Sequence, residues 1–420
     1  MRVFKFGGAS VKNAATVENV SDVISLFSND RLIVVVSAMG KTTNALEEVV
    51  KAWKEKNSPL FDQALEAIYQ KHVKIISQLF DEVDRIPVLA DLNVILEGVR
   101  EKFLDTFSDN YDFEYDQIVS LGEVISTKIV ADYLRKKGKN VVWADARKLV
   151  RTDRTFRNGN VDWQASERLI QGYLKNHDEQ IIVTQGFIGH TPENLTTTLG
   201  REGSDYTAAI FAYCANAQDV TIWKDVPGML NADPKYFENT VKLNQISFRE
   251  AIELAYYGAS VIHPKTIKPL QNKQIPLYVK SFIHPQEAGT VIQEDAVNDA
   301  NVPSYIFKKN QLLISVMPTD FSFIAESSLE RIFHCLSEEN VTINIMQNSA
   351  VSFSFLADEE KVRLDELVAR LSKDFKVHYN KNVELVTIRH YNDEIIRNIV
   401  KDRKELMTQK DRQTIRLVLD

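Results

Sequence analysis

Phe4-Lys5-Phe6-Gly7-Gly8-Ala9-Ser10-Val11 sets a lysine at the end of an apolar run, directly before two glycines and a serine. The amides of a Gly-Gly turn can approach phosphate closely, and the lysine adds a point charge. The lysine precedes the glycines, so the G-x-x-x-x-G-K spacing of a P-loop is absent. Taken alone, the segment is either a phosphate cradle or a strand with its turn. Ser37-Ala38-Met39-Gly40-Lys41-Thr42-Thr43-Asn44 follows a second apolar run and leads into a helix. It suits an anion at a helix N-terminus or, equally, a polar loop with Asn44 as N-cap. In Ser120-Leu121-Gly122-Glu123, the glutamate either receives an ammonium group or complements the helix dipole.

The most concentrated polar segment is Thr196-Thr197-Thr198-Leu199-Gly200-Arg201-Glu202-Gly203-Ser204-Asp205-Tyr206-Thr207. An arginine between two glycines is free to grip a carboxylate with both prongs. Asp205 can take an ammonium or order water on a metal, and Ser204 or Asp205 can also simply cap the helix at 206 to 215. Trp223-Lys224-Asp225-Val226-Pro227-Gly228 and Asn231-Ala232-Asp233-Pro234-Lys235 put two lysines and acidic partners on strand-end loops, as a nucleotide with its metal requires. The same dipeptides are also ordinary turns.

These segments need strands and helices to bring them together, and the hydrophobic pattern supplies them. Val3 to Phe6, Leu32 to Val36, Val141 to Trp143, Ile181 to Thr184, Val220 to Trp223 and Leu277 to Val279 read as strands. The continuous run Leu32 to Val36 is what a parallel strand covered on both faces requires. Val17, Val20, Ile24 and Phe27 mark a helix, and 44 to 107 is largely helical with breaks at Pro59 and Pro87. Ser247 and Glu250 form a capping box for a helix ending at Gly258. Such alternation gives an α/β fold, a three-layer α/β/α domain on a mostly parallel sheet, with ligands at the carboxyl ends of the strands.

The tail reads differently. None of the 15 glycines follows Gly289, which puts a domain boundary near 290 to 305. Leu312 to Met317, Thr342 to Met346 and Val351 to Leu356 read as strands, and Ser328 to Glu338 and Val362 to Phe375 as helices. Strands near Val377 and Val383 to Arg389, a helix over 393 to 407 and a strand Ile415 to Leu419 complete it. This is a small α+β unit followed by an abbreviated copy, an arrangement common in ligand sensors. The expected domains are 1–295, 305–380 and 381–420.

Composition bounds the function. The chain has 420 residues, with 51 Lys and Arg against 58 Asp and Glu, for a net charge of −7. That excludes nucleic-acid binding through a general basic face. No apolar run approaches the roughly 18 residues of a membrane span, and two cysteines make no disulfide framework. A cytoplasmic location with neither membrane nor nucleic-acid partners is expected.

KFGGASV, SAMGKTTN, SLGE, TTLGREGSDYTAA, IWKDVPG, ADPK and ELAYYGASVIHPKTI, in this order, resemble the aspartate kinases of the amino-acid kinase superfamily. The C-terminal pair is similar to ACT regulatory domains. The resemblance implies transfer of the ATP γ-phosphate to the side-chain carboxylate of L-aspartate, giving 4-phospho-L-aspartate, the entry to lysine, threonine, methionine and isoleucine. It implies that Lys5 neutralises the phosphoryl group in flight and that Arg201 holds the aspartate α-carboxylate. Glu123 and Asp205 would lie near the ammonium, with Ser37, Thr43 and Ser204 lining the same pocket; Lys5, Arg201 and Asp205 form the catalytic set. Nucleotide would be held by Lys5, Gly7, Gly8, Ser10, Lys224, Asp225, Leu230, Lys235, Ser260 and Val261. Mg²⁺ would arrive on the nucleotide, with no protein metal site. A homodimer and an amino-acid effector at the ACT-like units are further implications.

The chain departs from the family pattern at Ala9, where threonine is common, and at Glu202, where small residues are frequent. Ser260 stands where the family has a lysine; Lys265 or Lys224, the latter where threonine is usual, are the cations that could replace it. In the tail, Asn344 and Gln347-Asn348-Ser349-Ala350 differ from the pattern of lysine-inhibited members. With no dehydrogenase segment before Asp420, a monofunctional enzyme is expected.

Overall fold

A computed structural model describes residues 1–237, 239–259, 262–295, 297–320 and 322–420. By internal contacts it divides into two units: Met1–Leu230 with Lys242–Tyr256 and Ser260–Asp299, and Asn231–Val241 with Tyr257–Ala259 and Ala300–Asp420.

The first unit is built on an eight-stranded sheet. Its strands are β1 (Arg2–Phe6), β2 (Leu32–Val36), β3 (Val141–Ala144), β4 (Ile181–Gln185), β7 (Val220–Lys224), β8 (Gln245–Ser247), β9 (Leu277–Ser281) and β10 (Thr290–Gln293). A separate hairpin pairs β5 (Ile188–His190) with β6 (Thr196–Thr198). The order is β3-β4-β2-β1-β7-β9-β10-β8, parallel throughout except where β10 runs against β9. β1 lies at the centre, paired with β2 on one side and β7 on the other. All five residues of β2 are buried, as a strand covered on both faces demands.

Alternation along β1 sends Phe4 and Phe6 to one face and Lys5 to the other. The Phe4 and Phe6 side joins a core with α1 (Ala14–Ser25), α2 (Thr42–Lys54), α3 (Ser58–Leu79), α4 (Arg85–Leu104), α5 (Tyr111–Val119) and α6 (Leu121–Lys136). Trp223 closes that core over β7, stacked on Phe6 with ring centroids 6.0 Å apart. The Lys5 face is covered by α8 (Gly203–Ala215), backed by α7 (Trp163–Asn176) and α10 (Pro264–Asn272). This is the expected three-layer arrangement. The two prolines in the helical stretch start helices rather than interrupt them: Pro59 sits in the first turn of α3 and Pro87 in that of α4. Ser247 Oγ accepts the Glu250 amide at 3.0 Å and so caps α9 (Phe248–Tyr257), while the Ser247 amide donates to Asp299.

The second unit carries a six-stranded antiparallel sheet, in the order β12-β13-β11-β14-β16-β15. Its elements are β11 (Ser304–Pro318), α11 (Glu326–Glu338), β12 (Ile345–Asn348), β13 (Phe353–Asp358), α12 (Leu364–Leu371), β14 (Phe375–Arg389), α13 (Asp393–Val400), β15 (Glu405–Lys410) and β16 (Thr414–Leu419). It is an α+β unit of the ACT kind. The residues near Val377 and Val383 to Arg389 are one fifteen-residue strand, β14, which both expected tail segments share. The helix expected over 393 to 407 is corrected: α13 stops at Val400, and Glu405–Lys410 is an edge strand paired with β16. Ile395, Ile396, Ile399 and Val400 spend the apolar face of α13 against β14 and β16. Asp402 then turns the chain at φ +59°, and Met407 packs into a different cluster with Leu313 and Leu385. Among the described residues, no helix is long and apolar enough to cross a membrane.

Candidate active site

Three central strands end at one place. β1 runs into Gly7-Gly8, β2 into Ser37-Ala38, and β7 stops at Lys224. Their carboxyl ends open onto a cleft of about 550 Å³, lined by Lys5, Gly8, Ser37, Thr43, Glu123, Arg201, Ser204, Asp205 and Lys224 among others.

The parallel register explains why two lysines meet there. Lys5 lies opposite Ile222, so Lys224, two residues further along β7, faces the same side of the sheet. Asp205, in the first turn of α8, joins them: Lys5 Nζ is 2.6 Å from Oδ1 and Lys224 Nζ is 3.6 Å from Oδ2. Burial alone would push the Asp205 carboxyl up, but the charges of Lys5 and Lys224 outweigh it and hold the group below the usual carboxylate range. Lys5 is 8% and Asp205 3% exposed, so this pairing is poorly screened by water.

Glu123 sits in the first turn of α6, also buried. Its Oε1 accepts the Ala38 amide at 3.3 Å; Oε2 has no partner among the described residues. Burial pushes its pKa up to about 8, against the opposing pull of the Ala38 amide and the Lys5 charge. α6 also fixes the loop after β2, because Ser126 Oγ donates to the Ser37 carbonyl at 2.7 Å. Backbone crowding makes two glycines obligatory. A Cβ on Gly8 would stand 2.8 Å from the Ala38 carbonyl, and one on Gly186, just past β4, would stand 2.5 Å from Ser204 Cβ.

Other expected residues lie elsewhere. Gly7 borders Lys5 Nζ, and Ser10 is buried in the short turn Gly8–Val11, donating its amide to the Gly7 carbonyl; neither lines the cleft. Asp225 is exposed past the end of β7, and Leu230 is held in a bridge with Lys242. Lys235 is exposed and belongs to the second unit. Ser260 and Val261 lie outside the described residues. Lys265 reaches Asn158 Oδ1 and lines a separate cavity with Trp163 and Tyr213, so of the two replacement cations it is Lys224 that enters the cleft.

Sequence reasoning passed over Tyr115 and Arg157 and gave Thr198 no role of its own, although all three line the cleft. Arg157 and Thr198 are anchored by Asp116, fully buried, which accepts the Thr198 amide and hydroxyl at 2.8 and 2.7 Å and the Arg157 amide at 2.9 Å. An aspartate four residues before the serine of SLGE was the available signal.

Residues 1–281 match the amino acid kinase family. The chain is 30% identical over 400 residues to lysine-sensitive aspartokinase 3 of Escherichia coli, an alignment covering 92% of this chain and 86% of that one. The chain belongs to the aspartokinases of the amino acid kinase family. The fold agrees with that membership. The crystal structure of E. coli aspartokinase III in complex with lysine and aspartate (T-state) superposes with a TM-score of 0.84 at 27% identity, covering 100% of this chain and 95% of that one. The same E. coli enzyme in complex with aspartate and ADP (R-state) gives 0.78 at 27% identity, covering 100% and 96%. The chain spans only 43% of the bifunctional aspartokinase/homoserine dehydrogenase 2 of Arabidopsis thaliana, at 30% identity over 91% of its own length. This aspartokinase-family chain thus corresponds to less than half of that relative.

Proposed function

We propose that the chain phosphorylates the side-chain carboxylate of L-aspartate with ATP, giving 4-phospho-L-aspartate. The observation that carries the reading is the pair of lysines held on Asp205 at the carboxyl ends of the central strands. Support also comes from the E. coli relative, one structure of which holds aspartate with ADP.

The chemistry suits these residues. An acceptor carboxylate with a pKa of about 3.9 is already ionised at neutral pH, so no general base is needed. The obstacle is repulsion between anion and polyanion, roughly 4 kcal/mol for two unit charges 4 Å apart at an effective dielectric of 20. Lys5 and Lys224, held in place by Asp205, present ammonium donors to the transferring phosphoryl oxygens. The Gly8 turn and the Ser204 amide, in the first turn of α8, add backbone donors at the same rim. Arg201 takes the α-carboxylate bidentately, and the unpartnered oxygen of Glu123 takes the α-ammonium, with Ser37, Thr43 and Ser204 around them. With both ends of the acceptor fixed, its side-chain carboxylate is aimed at the phosphorus.

Mg²⁺, when bound to the nucleotide, supplies further positive charge to the phosphates. We further assign residues 1–295 to catalysis and the tail to regulation by an amino-acid effector, in a cytoplasmic homodimer. The lysine bound by the E. coli relative supports the regulatory part.

The test is acyl-phosphate trapping. With Mg-ATP and hydroxylamine, hydroxamate should form with aspartate and not with glutamate. Trapping with glutamate in preference, or with neither acid, would overturn the assignment.

A further inference from the structure

We propose that Arg157 is a second guanidinium for the acceptor's α-carboxylate, and so a specificity-determining residue of this cleft. The inference rests on the aspartate-phosphorylating reading above.

Arg157 lies on the loop before α7 with φ +62°, a left-handed conformation that a side chain adopts only when its surroundings enforce it. The enforcing group is Asp116, which accepts the Arg157 amide at 2.9 Å. The same carboxylate oxygen accepts the amide of Thr198, at the end of β6, at 2.8 Å. The loop and β6 are therefore fastened to one buried carboxylate. β6 leads directly to Gly200, where a Cβ would stand 3.2 Å from the Arg157 carbonyl. The turn that launches Arg201 thus packs on the backbone of Arg157, and both arginines line the same cleft from adjacent pieces of chain.

The side chain is held for planar recognition. The Arg157 guanidinium carbon sits 4.2 Å from the centre of the Tyr115 ring, and Tyr115 lines the cleft beside it. Stacking on the ring leaves the edges of the fork to make hydrogen bonds. One edge reaches Asp112 Oδ1 at 3.3 Å, and both partners of that contact are about half exposed. An ion pair in that setting is weak and yields readily to a carboxylate presented inside the cleft. A carboxylate has lone pairs enough for two forks. Arg201 and Arg157 together then demand a carboxyl group at this position, selecting acceptors that carry one beside the ammonium.

The experiment compares wild type with Arg157→Gly and Arg157→Lys in the hydroxylamine assay, measuring KM for aspartate and for ATP separately. Glycine adopts the left-handed conformation freely, so the loop is preserved. Loss of a charged, two-pronged contact should raise the aspartate KM of the glycine variant about tenfold or more, with the ATP KM within about twofold of wild type. Lysine, which keeps the charge without the fork, should fall between. An unchanged aspartate KM in Arg157→Gly, or an equal rise in both constants, overturns the role of Arg157 while leaving the reaction intact. A wild type that makes no hydroxamate from aspartate overturns the underlying reading, and this inference with it.

Discussion

Lys5 Nζ and Asp205 Oδ1 stand 2.6 Å apart, joining the central strand to the first turn of α8. The resemblance to aspartate kinases implies a place for Asp205 near a substrate ammonium. In the structure its two oxygens lie against two lysines, and under the proposed function its charge acts on the phosphoryl side through them.

Removing Lys5 should therefore cost turnover and not fold. Lys5→Ala is expected to lower kcat by about two to three orders of magnitude, the scale of losing one preorganised donor in a dry site. Circular dichroism should change little, while the unfolding midpoint should fall, because the buried Asp205 keeps only Lys224 of its two lysines. A near-normal kcat would remove Lys5 from the mechanism.

Glu123 gives a pH signature. With its pKa raised to about 8, it is largely protonated near neutrality, and only the ionised form attracts an ammonium. The affinity for aspartate should rise with pH through about 8 in wild type, and the rise should be absent in Glu123→Gln. Stability moves the opposite way. The unfolded chain ionises this group near 4.5, so its stabilising contribution is present below that pH and lost as pH climbs through about 8. Glu123→Gln should be the more stable protein at pH about 9, by on the order of a few kcal/mol. Denaturant titration measures it.

His72 acts at the acid end. It is fully buried in α3, with Nδ1 2.7 Å from the Ile68 carbonyl and Nε2 without a partner among the described residues. Burial pulls its pKa down to about 4, the Ile68 carbonyl opposing and Lys71 assisting. The unfolded chain takes up the proton first, so stability falls as pH drops from 6.5 to about 4. This one group should account for about 3 kcal/mol of that loss, and His72→Leu should show a correspondingly flatter acid limb.

Gly186 tests the packing that sets the site. A methyl group there collides with Ser204 at the start of α8. Gly186→Ala should destabilise by about 1–3 kcal/mol and lower kcat through displacement of Asp205. Calorimetry and the kinetic assay, run together, separate the two effects.

Most of the sheet was legible because β1, β2, β4, β7 and β9 are apolar runs that end at glycines or polar loops. What was missed has a common physical cause. β5 and β6 are three-residue strands, and Thr196–Thr198 carries hydroxyls that read as loop until Asp116 is seen to bind Thr198. Glu405–Lys410 buries only Met407, too little alternation to distinguish an edge strand from the tail of a helix. The cleft was legible where a residue adjoins a glycine turn or a strand end, as with Lys5, Arg201 and Lys224. Arg157 precedes Asn158-Gly159 but follows no apolar run, and its place is fixed by a side chain 41 positions away.

The central claim is that paired cations at the strand ends drive phosphoryl transfer onto a side-chain carboxylate. Phosphorus NMR of Mg-ATP turned over with aspartate carrying a carbon label in its side-chain carboxyl tests it directly. Wild type should develop an acyl-phosphate signal split by coupling to the labelled carbon, while Lys5→Ala shows none over the same interval. An unsplit signal, or equal rates in the two proteins, would contradict the account.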